Sequence, residues 1–177
     1  MAQRAIFLIG MMGSGKSTIG RALARELGLK FIDCDRELEA RSGVSITTMF
    51  EVEGELSFRE REAALIDELT QRDRIVLATG GGAVLRESSR AALRGRGLVI
   101  YLRASVDELA RRTARDRARP LLQTEDRRAR LTQLLEQREP LYSATAHAVF
   151  HSSSGNPNRL VRQIIDEPVV RAALAPS

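Results

Sequence analysis

Several residue types that mark common functional classes are scarce in this chain. It has one cysteine, Cys34, in 177 residues, so no internal disulfide can form and a reducing compartment suits it. Its two histidines, His147 and His151, belong to no Cys/His cluster, which argues against a zinc site. Tryptophan is absent, and aromatics are 4% of the chain. None of them interleaves with a basic stripe, so the stacking platform of a single-strand nucleic-acid binder is missing. No apolar run reaches the ~20 residues of a membrane span. The N-terminal apolar run is too short and too soon interrupted for a signal peptide, and there is no room for a transit peptide before it. Lysine is nearly missing: of 28 basic residues, only Lys16 and Lys30 are lysine. This arginine habit makes the net charge of +5 a poor pointer to nucleic acid. The expectation is a cytoplasmic protein with neither nucleic acid nor membrane as partner.

What remains is an ordinary globular composition, 43% hydrophobic and 29% charged, with room for one α/β domain. Short apolar runs alternate with longer helical patterns, the signature of βα units on a parallel sheet. The strand candidates are Ala5–Ile9, Phe31–Asp33, Ile75–Ala78, Leu98–Leu102 and Ala148–His151. Helices are expected to begin near Lys16, Asp35, Ile46, Glu87, Ser105 and Thr124, with a last one after Asn156. Ser105-Val-Asp-Glu108 reads as a capping box, and Asn156-Pro157 as an N-cap followed by proline at the first helical position. Residues 1–167 are expected to form a single domain, and 168–177 a loosely held C-terminal tail.

Gly10-Met-Met-Gly13-Ser14-Gly15-Lys16-Ser17 fits G-x-x-x-x-G-K-[ST], between an apolar strand and the helical pattern Ile19, Leu23, Leu27. That is the context in which this phosphate-binding motif is credible. Glycines let the backbone curl so that N–H groups point inward, and the helix N-terminus behind them adds partial positive charge. Lys16 supplies a mobile charge for terminal phosphates, and the Ser17 hydroxyl is placed for Mg²⁺. The chain therefore binds ATP or GTP. The fold class that follows is α/β: a five-stranded parallel sheet with flanking helices.

Other constellations admit two readings each. Asp33 and Asp35 close the second strand, and alternation would put both carboxylates on one face at its tip. They suit Mg²⁺–water coordination and hydroxyl activation, or they are turn aspartates capping a helix. Arg59 and Glu62 share a helix face, either as a preset fork for a substrate carboxylate or as an exposed pair. Gly80-Gly81-Gly82 follows the third strand and offers either close backbone approach to a ligand or a flexible connection. Eight arginines between Arg111 and Arg130, around Pro120, form either a lid over the nucleotide or a solvated face. Arg138, two residues before a turn begun by Pro140, reads by itself as a surface arginine.

Together these motifs resemble the shikimate kinase family. The resemblance runs in order from about Ala5 to Gln163 and includes Ile46-Thr-Thr-Met-Phe50 with Gly54-Glu55, Arg119-Pro120-Leu121-Leu122 and Arg138-x-Pro140-Leu141-Tyr142. It implies a three-layer α/β P-loop kinase fold with a mobile lid, and transfer of phosphate from ATP to the 3-hydroxyl of shikimate by a monomer, with one Mg²⁺. Catalysis would rest on Lys16, Asp35 and Arg119. ATP would lie on Gly13, Ser14, Gly15, Lys16, Ser17, Thr18 and Arg119, with Arg112 and Pro157 flanking adenine. Shikimate would be held by Asp35, Arg59, Gly80, Gly81, Gly82 and Arg138, and the metal by Ser17 directly and Asp33 through water. The phosphate loop is 10–18, the shikimate-binding region about 33–62 and the lid about 112–126. His151-Ser-Ser-Ser-Gly155 is neutral where the family often carries a charge. The rival readings are a kinase of gluconate or a nucleoside monophosphate, and a non-enzymatic nucleotide-binding module.

Overall fold

The computed structural model describes residues 4–153 and 155–175. Five parallel strands form one sheet: β1 (Ile6–Ile9), β2 (Lys30–Asp33), β3 (Ile75–Ala78), β4 (Leu98–Arg103) and β5 (Ala148–His151), in the order β2-β3-β1-β4-β5. Central β1 is IFLI with every residue buried, and both its neighbours pair in parallel register, Phe7 against Leu77 and against Val99. A strand covered on both faces reads as a continuous apolar run, which is why it was legible without alternation.

The two faces have separate cores. Phe7, Ile9, Leu77, Val99 and Tyr101 point to one side, and Ile6, Leu8, Val76, Ile100 and Leu102 to the other, as the period of two requires. The first face packs against α2 (Cys34–Ser42), α3 (Ile46–Leu69), α4 (Glu87–Arg96), α5 (Val106–Thr113) and α6 (Arg127–Thr145). The second packs against α1 (Lys16–Leu27), α7 (Pro157–Asp166) and α8 (Pro168–Leu174). All five strands run the same way, so every loop after a strand gathers at one edge of the sheet.

Three expectations are corrected, and one helix carries a break. Residues 168–174 are not a loose tail: they form α8, whose Val170 is fully buried against the core of the second face. Residues 176–177 of that stretch lie outside the described residues. Pro140 starts no turn, because α6 runs straight through it. The buried series Leu131, Leu134, Arg138 and Tyr142 sits at helical spacing, and packing along that face outweighs the one backbone bond that proline forfeits. The helix expected near Thr124 begins at Arg127, with Asp126 as the cap that accepts from Ala129 N at 2.9 Å, and a short 3₁₀ turn at Pro120–Leu122 precedes it. Finally, α3 breaks at Gly54 (φ 80°, ψ 169°), a conformation closed to residues with a side chain. The two cap signals hold: Ser105 accepts from Glu108 N at 3.2 Å, and Asn156 from Asn158 N at 2.9 Å.

Because α8 is docked, Val170→Ala should lower unfolding free energy by about 1–3 kcal/mol. Urea denaturation measures this, and a truly loose tail would leave the midpoint unchanged.

Candidate active site

Three adjoining clefts lie along the carboxyl edge of the sheet. The middle one is lined by Gly13, Gly15, Lys16, Ser17, Thr18, Asp33, Asp35, Thr79, Gly80, Gly81 and Arg119. Residues expected at the phosphates and at the metal therefore stand together, with one exception. Ser14 is fully buried behind the loop, its N–H donating to Met11 O at 3.1 Å. Lys16 is curled over the loop, its Nζ donating to Gly10 O at 2.7 Å and to Met11 O at 2.8 Å. Its ammonium is lowered to about 7, by burial first and then by the nearby Arg119, against the opposing pull of Asp35 and Asp33.

Asp33 and Asp35 differ from the expected pair at a strand tip. Strand β2 ends at Asp33, whose Oδ1 caps α2 by accepting from Asp35 N at 3.0 Å and Arg36 N at 3.2 Å. Its Oδ2 accepts from Ser17 Oγ at 2.5 Å. Asp33 is thus the helix cap of one of its two readings. Asp35 sits in the first helical turn, where burial and then the Asp33 charge raise its carboxyl above the usual range. Two oxygens of the hard type that Mg²⁺ prefers, from Ser17 and Asp33, stand side by side at the loop, so the donor set fits that ion.

The second cleft holds Asp35, Phe50, Phe58, Arg59, Glu62, Gly80, Gly81, Gly82, Arg119 and Arg138 among its walls. Arg59 Nη1 donates to Glu62 Oε1 at 2.9 Å, and Glu62 is 3% exposed, so this is no surface pair. The Arg59 guanidinium also lies 5.2 Å from the Phe58 ring centre, a favourable place for a cation. The glycine run is explained by crowding: a Cβ on Gly82 would stand 2.3 Å from the Arg59 guanidinium, and one on Gly80 2.7 Å from Glu62 Oε2. The glycines therefore make room for the Arg59–Glu62 pair as well as for whatever that pair binds.

Arg138 is 2% exposed, contrary to the surface arginine its sequence setting suggests. Helix α6 turns it inward one turn before Tyr142, whose hydroxyl donates to Gly81 O at 2.5 Å. Burial pushes the Tyr142 phenol up to about 12, so it stays a donor at any ordinary pH. Arg59 Nε, Glu62 Oε2 and Arg138 Nη1 are buried without protein hydrogen-bond partners. Three such groups converging on one cleft are what an anionic, hydroxyl-bearing ligand would satisfy.

In the basic stretch, most arginines are engaged away from the clefts. Arg127 donates to Ala114 O at 2.9 Å and Asp116 O at 2.5 Å, Arg111 pairs with Glu108 at 2.5 Å, and Arg128 pairs with Asp107. Arg119 is the one that enters the two clefts, aimed by Asp116 at 2.5 Å. Leu122 is 1% exposed and Thr47 Oγ1 donates to Ala118 O at 3.2 Å, so the stretch is docked onto the domain. The third cleft is lined by Gly15, Thr18, Arg112, Ser152, Pro157 and Leu160, which brings Arg112 and Pro157 together as expected.

A family model described as "Shikimate kinase" matches residues 12–168. The chain belongs to the shikimate kinase family. A shikimate kinase of Bordetella pertussis is 59% identical over 160 residues, 90% of this chain and 76% of that protein. The solved structure of shikimate kinase from Acinetobacter baumannii in complex with shikimate superposes with a TM-score of 0.91 at 44% identity, covering 93% of this chain and 92% of that one. A gluconokinase from Sinorhizobium meliloti, at 21% identity and TM-score 0.52 over 96% of this chain and 90% of its own, shares the fold alone.

Several residues that shape the site carried no sequence assignment. Tyr142 closed a motif without a role, and Asp116 was visible only as an acid three residues before Arg119. Ser152 and Thr79 gave no signal, since each is defined by a distant backbone partner.

The raised carboxyl of Asp35 has a consequence for stability. Its charged form is disfavoured in the folded state, so the penalty is present above the folded pKa and vanishes as pH falls toward the unfolded value. Asp35→Asn should therefore melt higher than the parent at pH 8, with the gap closing toward pH 4. Thermal unfolding across that range checks the sign; an Asn variant less stable at pH 8 would contradict it.

Proposed function

We propose that the chain transfers the terminal phosphate of ATP to the 3-hydroxyl of shikimate, giving ADP and shikimate 3-phosphate for aromatic amino-acid biosynthesis. One observation carries the reading: Asp35, Gly80, Gly81 and Arg119 line both the phosphate cleft and the carboxylate-binding cleft. A phosphate held on one side can pass to a hydroxyl held on the other across that shared wall.

The roles are those that the family resemblance implies, and the geometry supports them. Arg59 and Arg138 take the substrate carboxylate, and Glu62 keeps Arg59 in one orientation. Asp35 accepts hydrogen bonds from the ring hydroxyls and takes the proton of the attacking one as the new P–O bond forms. Its elevated pKa, set by burial, suits that task. Lys16, released from the loop carbonyls, and Arg119 stabilise the charge on the transferring group and the departing ADP. Ser17 would hold Mg²⁺ directly and Asp33 through water, and the ion when bound neutralises phosphate charge. Arg112 and Pro157 flank adenine.

The stretch 112–126 acts as a lid that excludes water, 33–62 as the shikimate-binding region, and 1–167 as one domain with α8 packed beside it. The working unit is taken to be a monomer, as the family resemblance implies. No helix among the described residues is long and apolar enough to cross a membrane. Cys34, buried and unpaired, suits the cytoplasm. Neither gluconate nor nucleotide phosphorylation is favoured: two arginines outside the lid suit a small carboxylate over a nucleotide, and the gluconokinase is 21% identical against 59% for a shikimate kinase.

Coupled ADP release with Mg²⁺-ATP tests the reaction: shikimate should stimulate it, and quinate, gluconate and nucleoside monophosphates should not. ATP binding without stimulation by shikimate would remove the substrate assignment. Arg119→Ala should lower kcat on the order of 10³-fold with shikimate affinity nearly kept. Arg59→Lys keeps the charge but loses the planar fork, so shikimate KM should rise clearly; an unchanged KM would detach Arg59 from the substrate.

A further inference from the structure

Ser152 lies just beyond β5 in a neutral segment to which the motifs give no task, yet it is only 6% exposed. Its N–H donates to Arg103 O at 2.7 Å, extending the β4–β5 pairing by one residue. That anchor places its hydroxyl against the back of the phosphate loop. Oγ donates to Ser14 O at 2.6 Å and accepts from Arg112 Nη1 at 3.1 Å. A hydroxyl has one proton, so the Ser14 carbonyl receives it and Arg112 supplies the second bond.

The orientation of a peptide group follows from this contact. In a trans peptide the C=O and N–H are coplanar and point to opposite sides. Drawing the Ser14 carbonyl toward Ser152 therefore turns the Gly15 N–H away from β5. Gly15 lines the phosphate cleft and holds φ 94°, a region where glycine gives the peptide unit little steric resistance to rotation. Ser14 is fully buried, so without the hydroxyl its carbonyl would lose its anchor away from solvent.

We propose that Ser152 is a positioning residue for phosphate binding: its hydroxyl fixes the Ser14–Gly15 peptide so that the Gly15 N–H donates to a nucleotide phosphate. The proposal rests on reading the loop as the ATP site. It separates the two contacts of Ser152, the loop carbonyl and Arg112, which predict different losses.

The test uses the full chain with Ser152→Ala and Ser152→Thr, and calorimetric titration with ATP, inorganic tripolyphosphate and adenosine beside steady-state kinetics. For Ser152→Ala, ATP and tripolyphosphate should each bind about tenfold more weakly, as for one lost hydrogen bond. Adenosine binding and shikimate KM should stay unchanged, and Ser152→Thr should restore most of the phosphate affinity. Unaltered tripolyphosphate binding in Ser152→Ala would overturn the proposal. So would a loss that adenosine shares equally, since the effect would then run through Arg112. A fall in melting temperature with both substrate KM values unchanged would reduce Ser152 to a structural role. Wild-type chain that binds tripolyphosphate but shows no shikimate-dependent turnover would defeat the reaction assignment and leave the Ser152 comparison intact.

Discussion

The Asp33 carboxylate holds the starts of two helices to the end of one strand. Its Oδ1 caps α2, and its Oδ2 accepts from Ser17 in the first turn of α1. The phosphate loop is thereby tied to the segment carrying Asp35, although the two are separated in the sheet by β3. Neither helix has another acid that could take this place: α1 has none in its first turn, and the acids of α2 lie beyond the cap. A residue without two acceptor oxygens would leave either the cap or the serine unmatched.

Around that joint the site keeps charge where a protein selected only for stability would not. Glu62 and Arg138 are almost wholly buried, and each retains a polar atom without a partner. Leaving such a group unmatched costs roughly 1–3 kcal/mol, a penalty that a bound anion with hydroxyls can relieve. The tyrosine pair offsets part of it. Tyr101 and Tyr142 stack at 5.0 Å, and Tyr101 bonds Glu139, which in turn pairs with Arg103 at 2.5 Å. Tyr142 is thus fixed from behind while its hydroxyl faces Gly81 and Arg138.

What the sequence revealed follows the range of the forces involved. The three central strands, β1, β3 and β4, showed as apolar runs because they are buried on both faces, and the starts of α5 and α7 showed because a cap bond spans two or three residues. The phosphate loop and the Arg59–Glu62 pair were legible for the same reason, their spacing being local. Arg138 was legible only through the family resemblance, because its burial depends on α6 continuing through Pro140, and that depends on packing against the sheet. The docking of α8 and the purpose of Gly80–Gly82 were hidden likewise. One is decided by contacts with α1 and α7, the other by side chains some twenty residues upstream. Ser152 is the extreme case, a common residue made specific by a carbonyl 138 positions away.

The near absence of lysine, joined to the burial of Lys16, gives the chain an uncommon chemical profile. Of its two lysines, Lys30 is exposed and Lys16 is an amine lowered to about 7 at the phosphate loop. An anion at the loop favours the charged form of Lys16, so the empty cleft holds this ammonium less firmly than the filled one would.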